Sequence, residues 1–195
     1  MNSPNIPSPT DKEVEIYLEK WNSLENYRLQ ESSLDKLFLK TYPENAHIDD
    51  ILVKCVTLND FYRTNIFKIF PVAKHILSLD VDERLRDGDP SLVNETARVK
   101  ISGKSKKFYS FATKYCSHHS PNDYPIYDYD VERVLVHFKK NDNFYQFTNA
   151  DLRDYVKFKE IILVFQEFYN LQCFNLKQVD QYIWQLGKEY FPKSY

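Results

Sequence analysis

Two short stretches hold the residues best able to do chemistry. The first is Ile101-Ser102-Gly103-Lys104-Ser105-Lys106-Lys107, a basic turn around one glycine that leads into a helical pattern. The second is Tyr124-Pro125-Ile126-Tyr127-Asp128-Tyr129-Asp130-Val131-Glu132-Arg133-Val134, where a proline-marked entry puts a carboxylate at the start of a helix. A lysine and an aspartate presented in this way suit nucleophilic chemistry on a sugar carbon. The amine attacks, and the carboxylate stabilises the positive charge that develops. Each residue also has a plainer reading. Lys107 reads equally as a solvated lysine, and Asp128 as a helix N-cap, a role aspartate fills well.

The neighbourhood of the turn is basic. From Arg98 to His119 the chain carries Arg98, Lys100, Lys104, Lys106, Lys107 and Lys114 and no acid, although the formal net charge of the whole is -2. Such a local positive field binds phosphate and weakens with salt. Gly103 allows a tight turn, and free N–H groups at the next helix start suit a phosphate oxygen. On composition alone, the stretch is also a solvated loop. Gly103-Lys104-Ser105 is not a P-loop: the required earlier glycine is Arg98 here, and no buried strand precedes it.

Composition bounds the rest. Hydrophobic residues make up 43% of the 195 residues and aromatics 16%, enough for one domain with a sizeable core. Only three glycines occur, which argues against glycine-rich nucleotide loops and tight β-hairpins. Cys55, Cys116 and Cys173 form no CxxC pair, so neither a metal site nor a cofactor is expected from them. Odd, unclustered thiols fit a reducing cytoplasm. His118 and His119 point about 100° apart on a helix, so they read as a cationic helix end rather than a metal pair. Met1–Pro9 reads as a flexible, proline-rich tail, with 10–195 as a single helical domain. No apolar run is long enough to cross a membrane, so no membrane partner is expected.

The hydrophobic period is helical almost throughout. Thr10 caps a first helix whose stripe is Val14, Tyr17, Leu18 and Trp21. Ser33 opens a short helix that stops before Pro43, and another spans about 48–63. A fourth carries Ile66, Ile69, Phe70, Ala73, Ile76 and Leu77. Residues 80–90 are turn-like, and a helix follows near 92–97. After Gly103, the positions Phe108, Phe111, Ala112, Tyr115 and Cys116 keep helical spacing, as do Val131, Val134, Leu135 and Phe138 after Asp128. The last two helices run over about 148–171 and 176–190. Asn175 caps the second, with Val179, Ile183, Trp184 and Leu186 inward. The pattern predicts an all-α fold.

Together, the two stretches resemble the helix-hairpin-helix DNA glycosylase superfamily. Ile101, Gly103 and Lys107 match its hairpin at the leucine, the first glycine and the catalytic lysine. Asp128, Val131, Arg133 and Val134 match the segment with the catalytic aspartate. Ser102 replaces a proline, Ser105 the second glycine and Asp130 a histidine, and the four-cysteine iron–sulfur loop is absent. Leu58-Asn59-Asp60 is similar to the segment that enters the DNA duplex.

The resemblance implies a two-lobed helical domain with a helix-hairpin-helix motif and a cleft between helices near 48–78 and 98–138. Lys107 would share a helix face with Ser110 and Lys114. Burial, together with Lys100, Lys104 and Lys106, would favour its neutral form. It would attack C1′ of a flipped nucleotide, leaving a Schiff base from which strand cleavage by elimination can follow, and Asp128 would stabilise the charge on the sugar. Ser102, Gly103, Lys104, Ser105, Lys106, Lys100, Lys114 and Asn59 would contact DNA. Tyr124, Tyr127 and Tyr129 would line the base pocket. The implied partner is double-stranded DNA with a damaged or modified base, met by a monomer without cofactor or metal, cytoplasmic and nucleoid-associated if bacterial. The alternatives are a non-catalytic module that kept the scaffold to bind DNA or protein, and a helical interaction protein with no nucleic-acid role.

Overall fold

The structure, a computed structural model, describes residues 4–192. Helices dominate it, with a single two-stranded sheet among the described residues. The chain divides into two compact units. One takes its residues from Met1–Glu25 and Tyr127–Tyr195, the other from Asn26–Ile126.

In the first unit, α1 (Asp11–Ser23) starts at Thr10, whose hydroxyl accepts from the Glu13 amide at 3.2 Å. Asp11 and Glu13 then sit at the positive helix end. Val14 and Tyr17 are its buried residues, and Tyr17 meets Tyr182 edge-on at 5.5 Å. The segment expected to be a loose tail is described from Pro4, and there Ile6 and Pro9 are buried. Helix α8 (Tyr129–Asp142) buries Val131, Val134, Leu135 and Phe138 at helical spacing. Helix α10 (Leu176–Tyr190) starts in a capping box, Asn175 with Gln178, and is buried at Val179, Ile183 and Leu186. It crosses α8 closely at Gly187, where a Cβ would lie 2.6 Å from the Asp130 carbonyl oxygen. Next to that crossing, Lys188 pairs with the buried Asp130 at 2.8 Å. Trp184 is half-buried against Trp21 at 5.6 Å rather than inside the core.

The helix expected over about 148–171 is interrupted. Its first part is a 3-10 turn, Asp151–Arg153, and α9 (Tyr155–Phe168) begins after it. The Asp154 carboxylate accepts from the amides of Val156 and Lys157, which restarts the helix there.

In the second unit, α2 (Glu25–Asp35) continues into a π-helical turn, Lys36–Thr41, so Ser33 lies inside a helix rather than at its start. Helix α3 (Ile48–Tyr62) packs against α4 (Ile69–Ser78). Helix α4 begins after Ile66, because residues 63–68 turn sharply: Arg63 and Asn65 have φ of 49° and 58°. A short helix, α5 (Asp82–Arg86), lies within the stretch expected to be only turn-like. After α6 (Ser91–Thr96) comes a hairpin of β1 (Arg98–Ile101) and β2 (Lys104–Lys107), then α7 (Tyr109–His119).

This hairpin is the main departure from an all-α chain. Its two-residue turn is Ser102-Gly103, with φ of 50° and 78°. Positive φ at both central positions is the type I′ turn that matches strand twist. One glycine sufficed because a serine took the other position. Ser105, which stands where the glycosylase motif has its second glycine, lies in the extended strand β2.

Candidate nucleic-acid interface

In the antiparallel register, Arg98 faces Lys107, Val99 faces Lys106, Lys100 faces Ser105 and Ile101 faces Lys104. Opposed residues share a face of the ribbon, and successive residues along a strand lie on opposite faces. One face therefore carries Arg98, Lys100, Ser105 and Lys107. The other carries Val99, which is 1% exposed and anchors the ribbon to its unit. All three cations of the first face are exposed, as are Ser102, Gly103, Lys104 and Lys106. No carboxylate occurs in the sequence between Arg98 and Lys107.

Beside the turn lies an unusual loop. Phe67 is 96% exposed, and its neighbour Lys68 donates to the Ser102 hydroxyl at 3.5 Å. Asn59 holds this loop in shape. Its carbonyl oxygen accepts from Thr64 Oγ1 at 2.7 Å and the Ile66 amide at 2.9 Å, while its amide donates to the Ile66 carbonyl. Asn59, expected to touch DNA, is thus engaged in bracing the loop, and Phe67 is what the brace presents. The sequence reading missed Phe67. The signal was a phenylalanine outside any helical stripe, two residues after the turn-forming Asn65.

Lys107 ends β2 rather than starting the next helix. Phe108 takes the cap position and α7 begins at Tyr109. It is exposed, with its ammonium 4.9 Å from the centre of the Tyr109 ring. The burial expected to favour a neutral amine is not found there. Ser110 and Lys114 do share a helical turn, with Lys114 Nζ 2.7 Å from Ser110 Oγ. Lys114 is only 4% exposed, so it is not part of the surface field.

Asp128 lies in the other unit. It is half-buried and caps α8, with Oδ1 accepting from the amides of Asp130 at 2.9 Å and Val131 at 3.0 Å. The tyrosines expected around a base differ among themselves. Tyr124 is fully buried, its hydroxyl donating to the carbonyls of Arg84 and Asp89, so it is a core residue with no face open for stacking. Tyr127 is 8% exposed, bonded to Glu132 and packed edge-on against Phe158. Tyr129 is exposed, and its hydroxyl accepts from Arg133 at 2.7 Å.

The paired histidines are not a cationic helix end. Burial, with Lys54 nearby, pulls His119 down to about 3, so it is neutral at physiological pH. His118 is 3% exposed and pairs through Nε2 with the Tyr62 hydroxyl at 2.9 Å. A cavity of about 630 Å³ in the first unit, lined by Ile6, His137, Asn141 and Phe168 among others, contains none of the residues expected to contact DNA or do chemistry.

Known proteins give a family and one strong relative. The family model HI_0787_N, described as an N-terminal domain, matches residues 13–123. An uncharacterized protein of Haemophilus influenzae is 51% identical over 162 residues, covering 83% of this chain and 73% of that protein. No solved structure matches.

Proposed function

The chain belongs to the HI_0787_N family. We propose, from the hairpin and the motif resemblance, that it binds double-stranded DNA through the β1–β2 hairpin and excises a damaged or modified base. The observation that carries the binding is the face formed by Arg98, Lys100 and Lys107, three exposed cations on one side of the ribbon in a stretch of sequence that holds no acid. Cations so arranged track phosphates, and each neutralised phosphate releases counterions. The amides of the I′ turn and the Ser102 and Ser105 hydroxyls add donors for phosphate oxygens. Phe67, held out by the Asn59 brace, stacks on an unpaired or extruded base.

The excision half rests on the motif resemblance, which reads the hairpin as part of a helix-hairpin-helix glycosylase. On that resemblance a lysine amine attacks the sugar C1′ and displaces the base, and Asp128 is the residue assigned to offset the charge on the sugar. Base extrusion precedes this step, because C1′ is shielded in a stacked duplex.

The test is fluorescence anisotropy of a labelled duplex titrated with the protein across salt, together with release of a base from lesion-bearing duplexes. Binding that weakens steeply with salt and survives poorly in an Arg98→Gln/Lys100→Gln/Lys107→Gln variant supports the interface. No binding at low salt removes it and leaves a helical interaction protein. A second reading, a DNA-binding module without chemistry, is favoured by the exposure of Lys107. It predicts the same binding with no base release and no effect of Asp128→Asn.

A further inference from the structure

Helix α7 carries a polar stripe that the hairpin reading leaves unused. Ser110, Lys114 and His118 recur every fourth residue, so they lie on one face. Lys114 Nζ is 2.7 Å from Ser110 Oγ and 5.1 Å from the centre of the Tyr62 ring. The Tyr62 hydroxyl in turn lies 2.9 Å from His118 Nε2. The stripe thus forms a cluster of amine, hydroxyl, phenol and imidazole. Ser110 and Tyr62 are half-buried at its edge, and Lys114 is 4% exposed within it.

We propose that Lys114, and not Lys107, is the amine that bonds to the sugar, on the base-excision reading just given. A lysine nucleophile needs three things: a surrounding poor in water, a neighbour that can take or return a proton, and a fixed position. Lys107 is exposed at a strand end. Lys54, the other buried lysine of this unit, is committed to three oxygens of residues 42–45. Lys114 has the burial, the Ser110 hydroxyl at 2.7 Å with the Ser110 carbonyl at 3.4 Å, and the Tyr62 ring packed over its ammonium. The two lysines then divide the work: Lys107 grips phosphate and Lys114 reacts.

At an abasic site the step is a condensation. The Lys114 nitrogen forms a bond to the C1′ aldehyde carbon, and the aldehyde oxygen leaves as water with the two amine protons. Protonation of the resulting imine draws electrons from C2′. Loss of a C2′ proton to a base then breaks the C3′–O bond, releasing the 3′-side strand through its phosphate. Water hydrolyses the imine and returns the amine.

The experiment is borohydride trapping on a duplex oligonucleotide bearing one abasic site, with the full chain as wild type, Lys107→Gln, Lys114→Gln and Lys114→Arg. Melting curves check that each variant is folded, and peptide mapping of the wild-type adduct locates the modified lysine without any substitution. The expected result is an adduct on Lys114. It falls to background in both Lys114 variants, and in Lys107→Gln it is weakened but restored at lower salt. An adduct mapped to Lys107, or one undiminished in Lys114→Gln, overturns the assignment while the base-excision reading stands. No adduct with wild type overturns both.

Discussion

Two lysines are buried in the same unit, and their surroundings differ in kind. Lys54 on α3 is fully buried and donates to the carbonyls of Tyr42 at 3.1 Å and Glu44 at 2.9 Å and to Asn45 Oδ1 at 2.6 Å. The rings of Phe38 and Tyr115 flank it at 5.6 and 5.9 Å. Three donors meet three oxygens, which fits an ammonium ion. Burial still pulls it down to about 8, against the pull of Asp82 in the opposite direction. Lys114 meets the Ser110 hydroxyl at 2.7 Å, the Ser110 carbonyl at 3.4 Å and the Tyr62 ring, where Lys54 meets a cage of three oxygens from a distant segment. The cage ties residues 42–45 to α3, and through Asn45 to Asp82 of α5. The Lys54 cage holds a segment of chain in place, whereas the Lys114 stripe joins α7 to the Tyr62 end of α3.

The comparison is most exposed to failure at Asn45. Its Oδ1 accepts from both Lys54 and the Tyr115 hydroxyl, the latter at 2.5 Å, and its amide donates to Asp82. Asn45→Ala leaves a buried charge short of a partner, and we expect a loss of about 3 kcal/mol in urea unfolding. Lys54→Met comes next, at about 1–2 kcal/mol. It strands two backbone carbonyls but also removes a charge that burial disfavours. A neutral or stabilising result would show that the cage is not architecture.

A pH series sharpens the same point. Lys54 sits near 8 in the folded chain and near 10.5 when unfolded. Between those values the unfolded chain binds more protons, so this residue makes stability rise with pH from about 8 to 10.5 and adds nothing below 8. The wild type minus Lys54→Met difference in unfolding free energy should therefore climb from pH 8 toward 9.5 and stay flat from pH 6 to 7.5. On the acid side His119, near 3 folded and 6.5 unfolded, favours the folded state above 6.5 and loses that contribution as pH falls toward 3. His119→Gln should flatten this decline. The smallest effect belongs to Lys114→Gln, which keeps a donor near Ser110. We expect about 1 kcal/mol or less in urea unfolding. A loss as large as that of Asn45→Ala would place Lys114 with the architecture.

Much of the scaffold was legible in the sequence. The stripes Val14/Tyr17, Val131/Val134/Leu135/Phe138 and Val179/Ile183/Leu186 are buried as their spacing requires, and Thr10 and Asn175 are caps. The hairpin was not legible, because a I′ turn usually shows itself by Asn-Gly or Asp-Gly, and here Ser102 adopts the positive φ. That one error moved Lys107 from a helix face to a strand end. The buried lysines were hidden for a different reason. Lys54 and Lys114 occupy inward positions where a helical period predicts apolar residues, and only the oxygens and rings gathered around them from distant parts of the chain explain how they are tolerated. Phe67 failed in the opposite direction: an aromatic residue that packing alone would bury is left in water.

The β1–β2 ribbon has a consequence in time. Its strands are joined by two residues, and all of its pairs are local in sequence. Such a ribbon closes on the order of microseconds. The seam at Gly187 and Asp130 joins distant parts of the chain and must wait for a long loop to close. The cationic face can therefore be assembled while much of the chain is still unformed, and the nascent protein meets polyanions early. Refolding in low salt with DNA present should be slowed by non-native capture, and raising the salt should relieve it.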